Sequence, residues 1–160
     1  MREAVVVETR ESAAMLEAIA RRATDAGVFG SVQVRGTRLI APARCPAAPA
    51  EYRIEVEGND AFVGVFTADR WLSHSVEADL LNTGDDLEEL LEEELIELGG
   101  SAPAPTIDHF RNDEKLFAFR SKAGVGAGDP RAAEVLGTLL LAYEACFRHL
   151  GDMHKDTDDE

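Results

Sequence analysis

Residues 129–150 read DPRAAEVLGTLLLAYEACFRHL, and this stretch decides the expected fold. Asp129 is suited to cap a helix, Pro130 fits the first helical turn, where no amide donor is needed, and Gly151 provides a stop. Apolar side chains recur at helical spacing and form one stripe: Leu136, Leu140, Tyr143, Phe147 and Leu150, with Val135 and Leu139 at its edges. We therefore predict a C-terminal helix over 129–150 that packs its stripe against a broad apolar surface, such as a sheet.

Length and charge limit the class of protein and its partners. A chain of 160 residues suits one domain with its own core, which we place at residues 1–151, and the acidic tail at 152–160 is predicted to be disordered. The formal net charge is −15, from 31 acidic and 16 basic residues. Nucleic-acid phosphates and anionic membranes are therefore expected to be repelled, and neither is predicted as a partner.

The N-terminus and the cysteines predict a cytoplasmic protein. The opening MREAVVVE is interrupted by charge too soon for a signal peptide, and no apolar run approaches the ~20 residues of a membrane span. Cys45 lies in a loop rich in proline and alanine, and Cys146 lies in the C-terminal helix. Their spacing fits neither a disulfide framework nor a zinc site, which is typical of a reducing compartment.

The first half of the chain predicts one helix followed by short strands. The helix spans about 11–26, with Thr9 or Ser12 as its cap, and it ends at Gly27. The β-rich runs at 28–34 and 37–41 predict a hairpin or a bent strand, further strands are predicted at 52–56, 61–66 and 71–78, and 42–49 is expected to be an exposed loop. Charged and apolar residues alternate at 52–56, which indicates one solvent-exposed face, whereas 61–66 is apolar on both faces and is expected to be more central.

The second half predicts an acidic helix, a hairpin and the C-terminal helix. The acidic helix spans 86–98, begins with a capping box of Asp85 and Glu88, and ends at Gly99. Its leucines form the apolar side, and the opposite side is almost entirely carboxylate: Glu88, Glu89, Glu92, Glu93 and Glu97. Strands at 106–111 and 116–121 are joined by a turn at 112–115, and a glycine-rich connector at 123–128 precedes the last helix.

The order of these elements, α-β-β-β(-β)-α-β-β-α, predicts an α+β fold with an antiparallel sheet covered by helices, because hairpins dominate and strands do not alternate with helices. This order resembles the YbjN-like proteins and the type III secretion chaperones. The local likeness to the YbjN pattern is greatest at LFAFR, residues 116–120, followed by a glycine-containing loop and the helix at 129–150. The resemblance implies a non-enzymatic domain that dimerises or binds other polypeptides.

The polar residues predict no catalytic, cofactor or metal site. Asp108 and His109 are adjacent on a strand, so they point to opposite faces and cannot form an acid/base pair. His74 lies on the apolar side of its predicted strand, where a partly buried structural histidine is expected, and the triplet SHS at 73–75 is not a triad. The acidic runs lack the spacing of a calcium loop, and the connector at 123–128 lacks the lysine of a phosphate-binding loop.

We therefore predict a cytoplasmic domain that binds a protein partner or a second copy of itself and has no enzymatic activity. The candidate partner-binding residues lie on three predicted elements: Trp71, Glu88, Glu89, Glu92, Glu93, Tyr143 and Phe147. The acidic helix face is either a docking surface for a basic partner or a solvated face. The alternatives are a small-molecule binder or weak enzyme with a pocket near His74 and His109, and a structural subunit of a larger assembly.

Overall fold

A computed structural model describes residues 2–44, 50–58, 60–83, 86–100, 105–126 and 129–148. The helices in these ranges are Arg2–Ala26 (α1), Arg70–Thr83 (α2), Leu87–Glu97 (α3) and Ala132–Phe147 (α4). The strands are Gln33–Arg35 (β1), Arg38–Pro42 (β2), Ala50–Glu57 (β3), Asp60–Thr67 (β4), Asp108–Arg111 (β5) and Phe117–Lys122 (β6). The predicted α+β class is confirmed.

The six strands form one antiparallel sheet in the order β1-β2-β3-β4-β6-β5. Two tight turns build its first half, at Gly36 and Gly58, whose φ angles of 59° and 62° are left-handed values that favour glycine. β4 is central, as its apolar character predicts. It pairs directly with β6, although α2, α3 and β5 lie between these two strands in the sequence. The sheet therefore joins the N-terminal hairpins to the C-terminal hairpin through the β4–β6 pair.

Helix α4 lies at the centre of the helical layer, where it contacts α1, α3 and the strands β3 and β4. The predicted stripe is its core face, and its large side chains are fully buried: Leu136, Leu140, Tyr143 and Phe147. The structure therefore corrects the prediction that Tyr143 and Phe147 contact a partner. Other parts of the same chain cover both rings, and neither offers a free surface.

The ends of the long helices differ from the sequence prediction. α4 begins at Ala132, because residues 129–131 form a turn in which the Asp129 carboxylate accepts a hydrogen bond from the Arg131 amide at 2.8 Å. α1 begins at Arg2, so Thr9 and Ser12 lie inside the helix and do not cap it. α1 ends at Gly27, as predicted, with a φ angle of 70°.

The face of the sheet opposite α4 carries a charged network in place of the predicted solvent-exposed face. Arg53 and Glu55 on β3 are only 4 % and 7 % exposed. The network comprises Arg38, Arg53 and Arg120 with Glu51, Glu55, Glu57 and Glu114. Two phenylalanines of β4 extend it, since the Arg53 and Arg120 guanidinium carbons lie 4.7 Å and 4.0 Å from the ring centres of Phe66 and Phe62. The alternation of charged and apolar residues predicted correctly which face carries the charges, but it did not predict that Arg53 and Glu55 are buried there.

The predicted strand at 71–78 is helical and forms most of α2. Leu72 and Val76 are buried, whereas His74 and Ala78 are exposed. Residues four apart lie on one side both in a strand and in a helix, so Leu72 and Val76 fit either structure. A strand would place His74 and Ala78 on the same side as Leu72 and Val76, whereas a helix places them elsewhere, in agreement with their exposure.

Helix α3 has the predicted position and a different cap. The Asp86 carboxylate accepts a hydrogen bond from the Glu88 amide at 3.0 Å, and the helix ends at Glu97, before Gly99 with its φ angle of 84°. Leu91 and Leu95 are buried against the core. The predicted cap Asp85 lies outside the described residues, as do most of the loop at 42–49, Gly151 and the tail at 152–160.

Candidate functional site: a cleft beside helix α2

The start of α2 is held by the residues that follow β4. The Asp69 amide donates a hydrogen bond to the Thr67 hydroxyl at 3.0 Å, and the Asp69 carboxylate accepts one from the Leu72 amide at 2.9 Å. Asp69 is therefore the N-cap of α2. Because the helix begins there, Ser73 and Glu77 lie one turn apart on the same side.

The edge strand β5 positions His109 opposite this side of α2. His109 pairs with Phe119 of β6, and their rings stack at a centre-to-centre distance of 4.0 Å and an angle of 7°. Phe119 is buried and also contacts Phe147 of α4. The imidazole plane is thus set by an aromatic side chain anchored in the core.

Three side chains meet between α2 and β5. The His109 Nδ1 atom lies 2.8 Å from the Glu77 Oε1 atom, and the His109 Nε2 atom lies 3.3 Å from the Ser73 Oγ atom. Ser73 is 3 % exposed, whereas the side chains of His109 and Glu77 are 32 % and 42 % exposed. A serine, a histidine and a carboxylate are therefore connected in that order.

A cleft of about 540 Å³ opens on this cluster. Its lining adds two arginines and a second histidine to the three residues: Arg70, Arg111 and His74. Neither arginine forms an ion pair with a carboxylate among the described residues, and the Arg111 guanidinium carbon lies 5.4 Å from the ring centre of Phe117. In a chain of net charge −15, this cleft concentrates positive charge.

The outward side of α2 is apolar and exposed. Trp71 and Leu81 are 81 % and 83 % exposed, and His74 and Ala78 lie exposed between them. Ten residues of helix place Trp71 and Leu81 about 80° apart around the helix axis and ~15 Å apart along it. We call Trp71, His74, Ala78 and Leu81 the α2 stripe.

The predicted acidic site on α3 is only partly available. The Glu88 carboxylate accepts a hydrogen bond from the Ile107 amide at 3.2 Å, so Glu88 connects α3 to the segment before β5. Glu92 is half-buried, whereas Glu89 and Glu93 are exposed. Of the four predicted residues on this helix, Glu89 and Glu93 are therefore the ones exposed to a partner.

The sequence prediction named part of the cleft and missed the rest. Asp108 and His109 do lie on opposite faces of β5, since they pair with Arg120 and Phe119 of β6. His74 is exposed, which corrects the prediction that it is partly buried. Ser73 and Glu77 share a side in a strand and in a helix alike. They were not predicted as a site, because no local pattern shows that β5 places His109 against that side.

Two buried groups near this region have altered pKa values. Burial raises the pKa of Tyr143 well above its ordinary value of 10.0, against a lowering effect of its hydrogen bond with Ser121. Burial, followed by the nearby carboxylates of Glu94 and Glu93, raises the pKa of Cys146 to about 12. Both groups are therefore neutral at physiological pH.

The comparisons with known proteins leave the family open. Known families, curated protein sequences and solved structures gave no match. The resemblance to YbjN-like proteins and type III secretion chaperones therefore stays a prediction. Within the described ranges, no helix has the length and apolar character needed to cross a membrane, and no group of three or more metal-binding side chains is present.

Proposed function

We propose that this protein binds a polypeptide partner through the α2 stripe. The exposure of Trp71 and Leu81 on one side of one helix supports this proposal, because large apolar side chains spaced along one helix face are typical anchors for a bound polypeptide. Tyr143 and Phe147 take no part in it, since both are buried. The role is that of a chaperone or adaptor, as the resemblance implies.

The charge of the chain favours a basic partner over a second copy. Two copies would each bring a net charge of −15, whereas a partner rich in lysine and arginine would be attracted over long distances. α3 begins at Leu87, soon after α2 ends at Thr83, and it adds the exposed carboxylates of Glu89 and Glu93. The proposed occupant is therefore an amphipathic segment with apolar anchors and basic flanks.

Trp71 is the only tryptophan of the chain and reports binding directly. A synthetic amphipathic helix of about 18 residues, with leucine on one face and lysine on the other, is expected to shift the Trp71 emission to the blue and to bind more weakly at high salt. Leu81→Ser is expected to weaken binding roughly tenfold, because it removes one apolar anchor.

Ile96→Ser is the matched control, because Ile96 is 57 % exposed but lies on α3. It is expected to leave the affinity unchanged. Two results would contradict the proposed partner. One is equal affinity for a peptide with glutamate in place of lysine, and the other is an equal loss of affinity in Leu81→Ser and Ile96→Ser.

The dimer implied by the resemblance is tested separately by light scattering at micromolar concentration. The faces of α1 and α4 that would have supplied its interface are covered within one chain, as the burial of Leu16, Ile19 and Leu136 shows. We therefore expect a monomer. A dimer in which the Trp71 emission shifts to the red on dilution would make the α2 stripe a self-interface and exclude the basic partner.

The cleft supports a second candidate function, the binding of a small ligand that carries a carboxylate or a phosphate. The observation that favours it is the positive charge that Arg70 and Arg111 bring to the lining. Titration with benzoate or inorganic phosphate, followed by the ring-proton NMR signals of the histidines, is expected to shift the signals of His74 and His109. Arg70→Gln should reduce these shifts, and their persistence would place the anion elsewhere.

A further inference from the structure

We propose that the cleft hydrolyses small esters that carry a negative charge, with Ser73 as the nucleophile, His109 as the general base and Glu77 as its positioning residue. This inference rests on the second candidate function, ligand binding in the cleft. It does not depend on Trp71 and Leu81, the apolar anchors of the α2 stripe. The contacts that carry it are those between His109 Nε2 and Ser73 Oγ and between His109 Nδ1 and Glu77 Oε1.

The two contacts of His109 determine which nitrogen carries its proton. A carboxylate can only accept, so Glu77 at 2.8 Å holds the proton on Nδ1 of the neutral ring. Nε2 then presents its lone pair to the Ser73 hydroxyl at 3.3 Å. This is the protonation state that a general base needs in order to activate a serine.

The three residues are held by different parts of the fold. Ser73 and Glu77 lie one turn apart on α2, whose start is fixed by the Asp69 cap. His109 comes from β5 and stacks on buried Phe119. The imidazole therefore lies between two groups of one helix and keeps its orientation without any bound ligand, which is the pre-organisation that catalysis requires.

The reaction would proceed through an acyl-enzyme. The Ser73 oxygen attacks the ester carbonyl carbon while its proton moves to His109 Nε2, and the carbon–oxygen bond to the alcohol then breaks as the alcohol takes that proton. Water attacks the acyl group in the second half, again losing its proton to Nε2. The acyl carbon–oxygen bond to Ser73 breaks, the serine recovers the proton, and a carboxylic acid leaves.

The cationic lining defines the class of substrate. Arg70 and Arg111 can hold a carboxylate on the acyl group and can offset the negative charge that develops on the carbonyl oxygen. A cleft of about 540 Å³ suits a small molecule, and this volume lies within the common range for ligand sites. Hemiesters of short dicarboxylic acids combine the ester and the charge.

The test uses 4-nitrophenyl hemisuccinate, with neutral 4-nitrophenyl butyrate for comparison. The free carboxylate of the hemisuccinate also attacks its own ester, so each rate is divided by the rate without protein. Wild-type protein is expected to accelerate nitrophenol release more for the hemisuccinate than for the butyrate and to gain the mass of one succinyl group at Ser73. Ser73→Ala is expected to abolish the acyl-enzyme and to lower the rate about 10²-fold or more. Glu77→Gln is expected to lower kcat more than it changes KM, because Glu77 acts through His109, whose Nδ1 proton it holds.

Ser75→Ala is the matched control, since Ser75 lies on the same helix and its hydroxyl donates to the Leu72 carbonyl oxygen at 2.8 Å. It is expected to keep the wild-type rate, and thermal unfolding verifies that each variant is folded. If the hemisuccinate binds but no acyl-enzyme forms, or if Ser73→Ala keeps the wild-type rate, catalysis is excluded and ligand binding stands. If nothing binds, both are excluded.

Discussion

Arg53 shows how one residue on the charged face is held in place. Its guanidinium contacts the carboxylates of Glu51 at 2.6 Å and Glu114 at 3.0 Å and lies over the Phe66 ring. Since Arg53 is 4 % exposed, its charge is separated from water and depends on these partners. Removal of one member of a buried ion pair costs more than the pair contributes, because the remaining charges lose their compensation.

The side chains of Glu51 and Glu114 are 31 % and 43 % exposed, so solvent compensates part of their charge when Arg53 is removed. We therefore expect Arg53→Ala to lower the free energy of unfolding by about 1–3 kcal/mol. Arg35→Ala is the control, because exposed Arg35 bonds the neighbouring Gln33 side chain, and a change within about 0.5 kcal/mol is expected there. Urea unfolding followed by circular dichroism measures both variants. Similar losses in the two variants would show that the charged face is solvated.

Tyr143 has a polar group inside the core, and that group has one hydrogen-bond partner. Its hydroxyl lies 2.5 Å from the hydroxyl of Ser121, and both residues are fully buried. Tyr143→Phe leaves the Ser121 hydroxyl without this bond, and we expect a loss of about 1–2 kcal/mol in the free energy of unfolding. Tyr143→Phe combined with Ser121→Ala removes both polar groups, so part of the loss is expected to return. No recovery in the urea midpoint would contradict this account.

Two glycines lie where neighbouring elements approach each other closely: Gly64 between β4 and β6, and Gly137 between α4 and α1. A side chain at Gly64 on β4 would place its Cβ 2.6 Å from the Phe119 carbonyl oxygen of β6, which is backbone and cannot move aside. At Gly137 on α4, the Cβ would lie 2.9 Å from the Nη1 atom of Arg22 on α1, the end of a flexible side chain. The sheet contact is therefore rigid and the helix contact is adaptable.

We expect Gly64→Ala to destabilise the protein by about 2 kcal/mol or more, because the β4–β6 pair must separate. Gly137→Ala is expected to be neutral or to add up to ~1 kcal/mol, because alanine is favoured inside a helix and Arg22 can reorient. The two variants change the same atoms, so each is the control of the other in thermal unfolding. The reverse order of melting temperatures would exclude this explanation.

For the whole molecule, the charged face couples folding to pH. The hydrogen bond with Arg53, followed by the charges of Arg53 and Arg38, lowers the pKa of Glu114 below its ordinary value of 4.5 in the folded protein. A carboxylate whose pKa is lower in the folded than in the unfolded chain adds stability above the unfolded pKa. This contribution is lost as the pH falls through the folded pKa.

The free energy of unfolding is therefore expected to decrease as the pH falls from about 5 towards 3, and Glu114→Gln is expected to flatten part of this decrease. The side chain of Glu114 is 43 % exposed, so solvent reduces the effect and only its direction is predicted. Glu89→Gln on α3 is the control and should keep the wild-type profile. Parallel profiles for wild type and Glu114→Gln in urea titrations at several pH values would contradict the coupling.

Local spacing and turn chemistry are enough to predict several features of this fold. The α4 stripe, the turns at Gly36 and Gly58 and the end of α1 at Gly27 follow from residues close in the chain. The fold class follows from them, because hairpins predict an antiparallel sheet and a long apolar stripe predicts its cover. The sequence was enough to predict these features, because each of them depends on residues only a few positions apart.

The helix at 70–83, the burial of Arg53 and the cluster in the cleft depend on contacts between residues that are distant in the sequence. Leu72 and Val76 fit two periods, and the helix is the one that leaves His74 and Ala78 exposed in the folded chain. Ser73 and His109 are 36 residues apart and meet because β6 pairs with both β4 and β5. Such contacts depend on non-local strand pairing, which no local pattern records, so the residues proposed for chemistry became visible only in the folded chain.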